Sequence, residues 1–483
     1  MTCHIAAPWR RSSVWALPLL WTFALGLWGL SRQHTVWRDE AATWQVARRP
    51  VADIWHMLGQ VDAVHGLYYL LMHGLFECFG PGTTTLRLPS VLATSLAAAC
   101  VALIARRMAG QLVGLTAGLA FGLLPAVQFY LQEGRSYALI AMGAGISTLL
   151  LVTMLEDRGR DRRRRWTAYG GTVLVCALLN WLSLLVLPAH LATLVWSKAE
   201  RGVWARWAAA SAAAVAAALP LILFSRSQSD QVSWIPPLTW HMMIGPAVLL
   251  LIGGIGALTD RPQPGRLSVA AVGLPLLAVP QIGLIGLSLV QPLFLDRYVL
   301  FSMLGLALLI GAALGAAVAA LGKRFRRASS WVLPVAVVVA VLALLPQLLA
   351  KRSPASRVDD VLAVAADVRH LKKAGDAVLF IPAARRDTAL VSPDDFAGLR
   401  DIALVESAAA SGTLKGLEAS PDQIRTDLLS QRRVLLVTDA PNVARPVSAA
   451  RDEAKMSVLR AFFSAVADRQ VLGRRVTVYE RLS

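Results

Sequence analysis

Charged side chains are scarce in this sequence: Asp, Glu, Lys and Arg make up 16% of its 483 residues, whereas hydrophobic residues make up 56%. Soluble domains carry about 25% charged residues. Uncharged runs recur between residues 14 and 349, and many approach the roughly 20 residues with which a helix crosses a hydrocarbon core. The composition therefore excludes an ordinary soluble protein and indicates one that crosses a lipid bilayer several times.

Cysteine is also rare. The four cysteines, Cys3, Cys78, Cys100 and Cys176, lie far apart and show none of the paired spacings of a metal site or a disulfide framework. A cleavage site of the A-x-A type is likewise missing after the first apolar run. We therefore expect residues 14–31 to be a retained membrane helix and not a signal peptide that is removed.

The net charge of +18 is compatible with nucleic-acid binding, but the basic residues are concentrated between apolar runs. They cluster at Arg10-Arg11, Arg106-Arg107, Arg158 to Arg165, Lys198 with Arg201 and Arg206, Arg261 with Arg266, and Lys323 to Arg327. Cytoplasmic loops of membrane proteins are rich in Lys and Arg. Because the clusters occupy every second loop, they predict a multi-pass protein of the plasma membrane with a cytoplasmic N-terminus, and no nucleic-acid partner.

The apolar runs predict an all-α polytopic membrane bundle of about eleven transmembrane helices. These helices are expected at residues 14–31, 86–105, 110–128, 136–155, 167–179, 183–197, 207–224, 243–258, 267–290, 298–320 and 331–349. The stretch from Trp166 to Ser197 is too long for one crossing and basic at both ends. We therefore expect two spans there, joined by a turn at Leu179-Asn180-Trp181.

From Lys351 onward the composition becomes that of a soluble domain. Apolar spacing predicts a helix over 358–371, buried strands at 377–381 and 433–437, a helix at about 451–467 and a strand at about 473–480. This alternation favours an α/β domain, and eleven crossings place it outside the cytoplasm. The predicted domains are thus a transmembrane domain, 1–350, with a long first external loop at 32–85, and an extracytoplasmic domain, 351–483.

The predicted external loops collect the residues that are suited to chemistry. The first loop contains the adjacent carboxylates Asp39-Glu40 and the spaced pair Asp62 and His65, and Arg135 and Arg297 follow in later loops. A carboxylate can accept a proton, and Asp with His can bind a divalent ion such as Mg²⁺. A guanidinium offers phosphate a planar fork of donors. Together these groups indicate group transfer from a phosphate-linked donor.

Each of these residues also has a purely structural interpretation. Asp39-Glu40 could cap a helix or anchor it at the membrane interface, and His65 could be a buried structural histidine. Arg135 or Arg297 could extend to the interface or form a buried pair. A site is favoured because all of them are predicted on one side of the membrane although long apolar helices separate them in sequence.

Five short motifs resemble those of the GT-C integral-membrane glycosyltransferases, in particular the protein O-mannosyltransferase-like family 39 group. The motifs are Asp39-Glu40, Asp62 to His65 with Leu67-Tyr68-Tyr69, Leu86 to Ser90, Gln132 to Tyr137, and Asp296 to Phe301. They occur in order, and the resemblance covers about residues 14–320.

The resemblance implies a GT-C-type bundle that moves a hexose, with mannose as the leading sugar, from a polyprenyl-phosphate carrier to a hydroxyl of an extracytoplasmic acceptor, with inversion. The acceptor could be a protein, a glycolipid, an envelope glycan or an exported natural product. Asp39 is then the catalytic base, and Asp62 and His65 are ligands of a divalent cation, Mg²⁺ or Mn²⁺. The implied substrate-binding residues are Glu40, Gln132, Glu133, Arg135, Tyr137, Arg297 and Tyr298.

Two other classes of protein share the polytopic pattern. A transporter or flippase would carry ionisable or broken segments near the middle of the membrane in both halves of the chain, whereas the ionisable residues here lie at helix ends and internal repeats are not apparent. A non-catalytic scaffold of envelope assembly would fit the bundle and the C-terminal domain, but it would have no use for Asp39, Arg135 and Arg297 together.

The predicted topology can be tested with reporter fusions. A reporter that is active only outside the cytoplasm, such as alkaline phosphatase, should be active when fused after Lys351 and inactive when fused after Arg266, in a predicted cytoplasmic loop. Activity at Arg266 but not at Lys351 would show that the predicted orientation is inverted.

Overall fold

The computed structural model describes residues 9–30, 34–156, 162–228, 234–260, 262, 266–324 and 329–482. Cys3 and parts of the basic clusters at 158–165, 261–266 and 323–327 lie outside the described residues. The contacts divide the chain into a bundle unit, Met1–Leu30 with Arg87–Lys351, and a sheet unit, Ser31–Leu86 with Arg352–Ser483.

The helices account for most of the chain. In chain order they are α1 (Trp9–Leu27), α2 (Arg38–Ala47), α3 (Val51–Gln60), α4 (Gly66–Phe79), α5 (Thr83–Ala109), α6 (Gln111–Leu123), α7 (Pro125–Tyr130), α8 (Tyr137–Glu156), α9 (Arg162–Leu179), α10 (Val186–Trp196), α11 (Arg201–Ser227), α12 (Ile244–Leu258), α13 (Val269–Ser288), α14 (Met303–Arg324), α15 (Ser329–Arg352), α16 (Val361–Leu371), α17 (Asp387–Val391), α18 (Pro421–Leu429) and α19 (Ala450–Phe462). The strands are β1 (Ala377–Ile381), β2 (Arg400–Asp401), β3 (Leu404–Glu406), β4 (Leu417–Glu418), β5 (Arg433–Asp439), β6 (Phe463–Val471) and β7 (Arg474–Arg481).

The bundle unit confirms the predicted class of a helical, multi-pass membrane protein. Within the described ranges, seven segments are long and apolar enough to cross a membrane: Thr83–Ala109, Tyr137–Glu156, Arg201–Ser227, Trp240–Leu258, Val269–Ser288, Asp296–Leu321 and Trp331–Arg352. Shorter apolar helices cover Val14–Leu27, Gln111–Leu123 and Trp181–Trp196. A helix covers most of each of the eleven predicted segments, but eleven crossings stay a prediction.

The predicted break between the spans at 167–179 and 183–197 is confirmed. Helix α9 ends at Leu179, and the side-chain oxygen of Asn180 accepts a hydrogen bond from the backbone N–H of Leu182, at 3.0 Å. A short 3-10 helix over Trp181–Leu185 then leads into α10. The Asn side chain thus satisfies one of the donors that the start of a helix leaves without an intrahelical acceptor.

Helix α14 packs closely against its neighbours in the bundle unit. A Cβ atom placed on Gly311 would lie 2.3 Å from the Cβ of Ala117 on α6, and one on Gly305 would lie 2.5 Å from the carbonyl oxygen of Gly273 on α13. Lipid chains are as apolar as the helices, so association in a membrane relies on such close packing of small residues.

The sheet unit is an α/β layer structure. Its five-stranded sheet has the order β2-β1-β5-β7-β6, in which β1 runs parallel to β2 and β5, while β7 runs antiparallel to β5 and β6. Strands β3 and β4 form a separate antiparallel pair. Alternate residues of β1 enter two cores on opposite faces: Leu379 packs with α18 and α19, and Phe380 packs with α16.

The predicted α/β order of the C-terminal region is confirmed, but the helix predicted over 451–467 is too long. The helix ends at Phe462, and residues 463–471 form β6, which pairs with β7. The turn between the two strands contains Gly473, with a φ of +67° that glycine adopts at little cost. Most side chains of β6 are exposed, so the alternation of apolar residues that marks a half-buried strand is missing.

The segment predicted as the first external loop belongs, by its contacts, to the sheet unit. The prediction placed residues 32–85 with the transmembrane helices, whereas the structure groups the described part of this segment, residues 34–85, with Arg352–Ser483. Val36 and Ala41 share a buried core with Val361 and Val391. Two segments far apart in sequence therefore belong to one compact unit and share this core. The extracytoplasmic location of this unit stays a prediction.

The close packing of α14 can be tested with two glycine variants. Gly311→Ala should lower the unfolding free energy by about 1–3 kcal/mol, the usual cost of overpacking. Gly286→Ala in α13 is the matched control, because no atom lies within 4 Å of the added methyl group. The control should leave stability unchanged or raise it by about 1 kcal/mol through helix propensity. Thermal unfolding of the purified protein in detergent measures both, and equal effects would contradict the packing.

Candidate functional site

The predicted site residues are divided between the two units. The sheet unit contains Asp39, Glu40, Asp62 and His65, and the bundle unit contains Gln132, Glu133, Arg135, Tyr137, Arg297 and Tyr298. Each group is positioned by its own unit. The predicted convergence of the two groups, and the roles of their members, stay predictions.

The acidic pair lies in the first turn of α2. This helix begins at Arg38, and Trp37 before it is extended and gives no side-chain cap. Glu40 is fully buried, whereas Asp39 is half-buried. The positive end of the helix dipole stabilises carboxylates at this position. Partial exposure makes Asp39 the member of the pair that a hydroxyl from outside the fold reaches more easily.

Arg38, immediately before the pair, is held by the C-terminal segment of the same unit. Its backbone N–H and its Nε donate to the two carboxylate oxygens of Asp359, each at 2.9 Å. Nε of Arg474 donates to Asp359 at 3.0 Å, and Asp359 is buried. Burial alone would raise the pKa of Asp359, but Arg474 and Arg38 together hold it below its ordinary value. Asp359, which holds the start of α2, is therefore an ionised carboxylate.

The predicted metal ligands Asp62 and His65 lie close together. The hydroxyl of Tyr69 donates to the Asp62 carboxylate, and Nε2 of His65 is 3.9 Å from Oδ1 of Asp62. Asp62 has a φ of +61°, in the left-handed region that Asp tolerates better than most residues. Among the described residues, no three His, Cys, Asp or Glu side chains form a metal-binding group. The divalent cation stays a prediction.

In the bundle unit, residues 131–136 connect α7 to α8. Nε2 of Gln132 donates to the carbonyl oxygens of Gly26, at 2.7 Å, and of Trp28, at 2.9 Å. The side-chain amide nitrogen of Gln132 therefore holds the end of α1, and its predicted substrate contact stays a prediction. Ser90 donates to the carbonyl oxygen of Glu133, at 2.5 Å. The predicted residues Glu133 and Arg135 are buried in this segment.

Arg297 lies among aromatic rings. Its guanidinium carbon is 5.8 Å from the ring centre of Tyr137, 5.7 Å from that of Trp234 and 5.9 Å from that of Tyr298. These distances allow cation–π attraction between the guanidinium and the rings. Trp234 was not among the predicted site residues, because a single tryptophan next to Pro236-Pro237 has the sequence signature of a loop turn.

A cavity of about 220 Å³ lies beside Asp296 in the bundle unit. Its lining is mostly apolar, with polar groups from Tyr130, Gln281 and Asp296. The hydroxyl of Tyr130 donates to Asp296 at 2.9 Å, and the backbone N–H of Arg297 donates to the same oxygen at 2.8 Å. A mostly apolar cavity with a few polar groups can receive part of a hydrocarbon chain.

Nearly the whole chain is similar in fold to several solved proteins. ArnT from Cupriavidus metallidurans in the apo state has a TM-score of 0.61 and 14% identity, over 96% of this chain and 97% of that one. The same protein bound to undecaprenyl phosphate has a TM-score of 0.56 and 14% identity, over 98% of both chains. The oligosaccharyltransferase AglB from Archaeoglobus fulgidus, in complex with an inhibitory peptide and a dolichol-phosphate, has a TM-score of 0.52 and 11% identity, over 89% of this chain and 69% of that one.

The chain thus has the GT-C fold that its motifs resemble. No protein-family model matches the sequence, and the search of curated proteins by sequence returns no match. The archaeal oligosaccharyltransferase has also been solved in complex with Zn and sulfate, at a TM-score of 0.50, 12% identity, and over 88% of this chain and 68% of that one. At these identities the similarity establishes the fold.

Proposed function

We propose that this protein is an inverting glycosyltransferase that moves a sugar from a polyprenyl-phosphate carrier to a hydroxyl of an acceptor outside the cytoplasm. The observation that carries the proposal is the GT-C fold over nearly the full length of the chain. Two proteins with this fold have been solved with a polyprenyl-type phosphate, one with undecaprenyl phosphate and the other with a dolichol-phosphate. A lipid-linked phosphate is the ligand chemistry that they share.

The donor is assigned to the residues of the bundle unit. Arg297, which lies among three aromatic rings, offers donors to the phosphate, and Arg135 is the second basic candidate. The cavity beside Asp296 suits the isoprene units nearest the phosphate, because most of its lining is apolar. Charge stabilisation at the leaving phosphate is the largest contribution to the rate enhancement that we expect of such a site.

The catalytic step is assigned to Asp39. Its carboxylate takes the proton of the acceptor hydroxyl while the hydroxyl oxygen forms a bond to the anomeric carbon. The bond from that carbon to the phosphate oxygen breaks, and the polyprenyl phosphate leaves with the bonding electron pair. Attack opposite the leaving group inverts the anomeric centre. General-base assistance is typically worth about 10² to 10⁴ in rate.

The identity of the sugar and the range of acceptors are proposed from the sequence motifs. The family 39 resemblance favours a hexose, and mannose in particular, and it leaves the acceptor open among a protein, a glycolipid, a glycan and an exported natural product. The basic clusters support a plasma-membrane location with the sheet unit outside the cytoplasm. A divalent cation, Mg²⁺ or Mn²⁺, bound through Asp62 and His65 would draw on oxygens of water or substrate, because Mg²⁺ commonly keeps such ligands.

Asp39→Asn tests the catalytic assignment, because the amide keeps the shape of the side chain and loses its basicity. Membranes containing the variant should transfer sugar from a panel of radiolabelled polyprenyl-phosphate sugars about 10²-fold or more slowly than wild type. Asp422→Asn is the matched control, since Asp422 is highly exposed on α18, and it should keep the wild-type rate. Wild-type transfer by Asp39→Asn would refute the role of Asp39.

Arg297→Ala tests the phosphate contact. The variant should raise the apparent KM for the donor about tenfold or more while the KM for the acceptor changes by less than about twofold, because a charge-assisted hydrogen bond is worth about 1.5–3 kcal/mol. Arg266→Ala, at an exposed position of the same unit, is the control. A larger effect on acceptor than on donor binding would contradict the assignment.

A further inference from the structure

Two hydrogen bonds hold the chain immediately before the acidic pair. The carbonyl oxygen of Val36 accepts from the backbone N–H of Val361 at 2.7 Å, and the backbone N–H of Arg38 donates to Asp359 at 2.9 Å. These bonds lie on either side of Trp37. The direction in which α2 leaves, and with it the direction of the Asp39 side chain, is therefore set by the segment from Asp359 to Val361.

The carboxylate of Asp359 is itself held by a buried ion pair. Arg474, which is fully buried on β7, donates from Nε to Asp359 and from Nη1 and Nη2 to Asp387, at 2.7 and 2.8 Å. Nε of Arg38 completes the pairing of Asp359. Removing one partner from a buried ion pair leaves an uncompensated charge and costs far more than losing an exposed pair. The buried carboxylate of Asp359 is therefore held in one position by its partners.

The other end of α2 is also tied to the C-terminal part of the sheet unit. Arg49, two residues beyond the end of α2, is buried and donates to the carbonyl oxygens of Thr413, at 2.9 Å, and of Ala408, at 3.3 Å. Burial lowers the pKa of Arg49, and Tyr69 and Asp53 partly oppose this effect. Helix α2 is therefore fixed at both ends, with the acidic pair in its first turn.

We propose that Asp359, held by Arg474, is a positioning residue for Asp39, acting through Arg38. This inference rests on the proposed function, in which Asp39 removes the acceptor proton. It assigns a task to the C-terminal α/β region, which carries no predicted site residue: it sets the position of the catalytic carboxylate on α2. A displacement of about 1 Å at a reacting group can cost about 10² in rate.

Asp359→Asn is the decisive variant, because it keeps the shape of the side chain and removes the charge that Arg38 and Arg474 contact. We expect kcat to fall by about tenfold or more while the KM for the polyprenyl-phosphate sugar stays within about twofold of wild type. Asp422→Asn is the matched control, since the pair of Asp422 with Arg425 is exposed and lies in the same unit. It should change neither constant.

Hydrogen exchange gives a second measurement that does not depend on activity. In Asp359→Asn, the amides of residues 38–47 should exchange about tenfold or more faster than in wild type, while those of β5 keep their protection. Unchanged kcat, unchanged exchange over 38–47, or equal acceleration in β5, which would indicate general destabilisation, would each overturn the inference. A wild-type protein that transfers no sugar from any donor would instead overturn the proposed function.

Discussion

The ion pair between Arg38 and the buried carboxylate of Asp359 is the constraint on which the sheet unit depends. It joins two residues that are 321 positions apart in the sequence, and most of the predicted membrane helices lie between them in chain order. Closing so long a loop has an entropic cost that grows slowly with length, and the contact opposes that cost with a charge-assisted pair that Arg474 completes. Residues 34–86 and the C-terminal region therefore form one unit, and the acidic pair belongs to that unit.

The bundle unit obeys a different constraint, because buried polar groups in a membrane must find partners inside the protein. His190 on α10 meets this requirement: its ring nitrogens lie 3.0 Å from the hydroxyl of Thr148 and 2.8 Å from that of Tyr169. Gln132 meets it by bonding the end of α1. Arg297 lies among the rings of Tyr137, Trp234 and Tyr298, which attract a cation.

The positions of the bundle helices could be predicted from the sequence, but the contacts between distant segments could not. Long apolar runs predicted the bundle helices, and the turn at Leu179-Asn180-Trp181 followed from length and charge. Strand β6 was missed because an edge strand with exposed side chains has no apolar alternation. Asp359 and Arg474 were missed because a charged residue in a soluble region has no periodic signal. Nothing in the local sequence indicates which of 30 acidic residues pairs with Arg38.

The sequence by itself determined the class of the protein, the order of its helices and the motifs that point to glycosyl transfer, because these depend on run length, local spacing and residue type. Only the tertiary structure decided that residues 34–86 fold with the C-terminal region, that the Gln132 side chain contacts the end of α1, and that Asp359 bonds the start of α2. Each of these depends on contacts between segments distant in the chain, and such contacts form only when the backbone has brought particular donors and acceptors within about 3 Å.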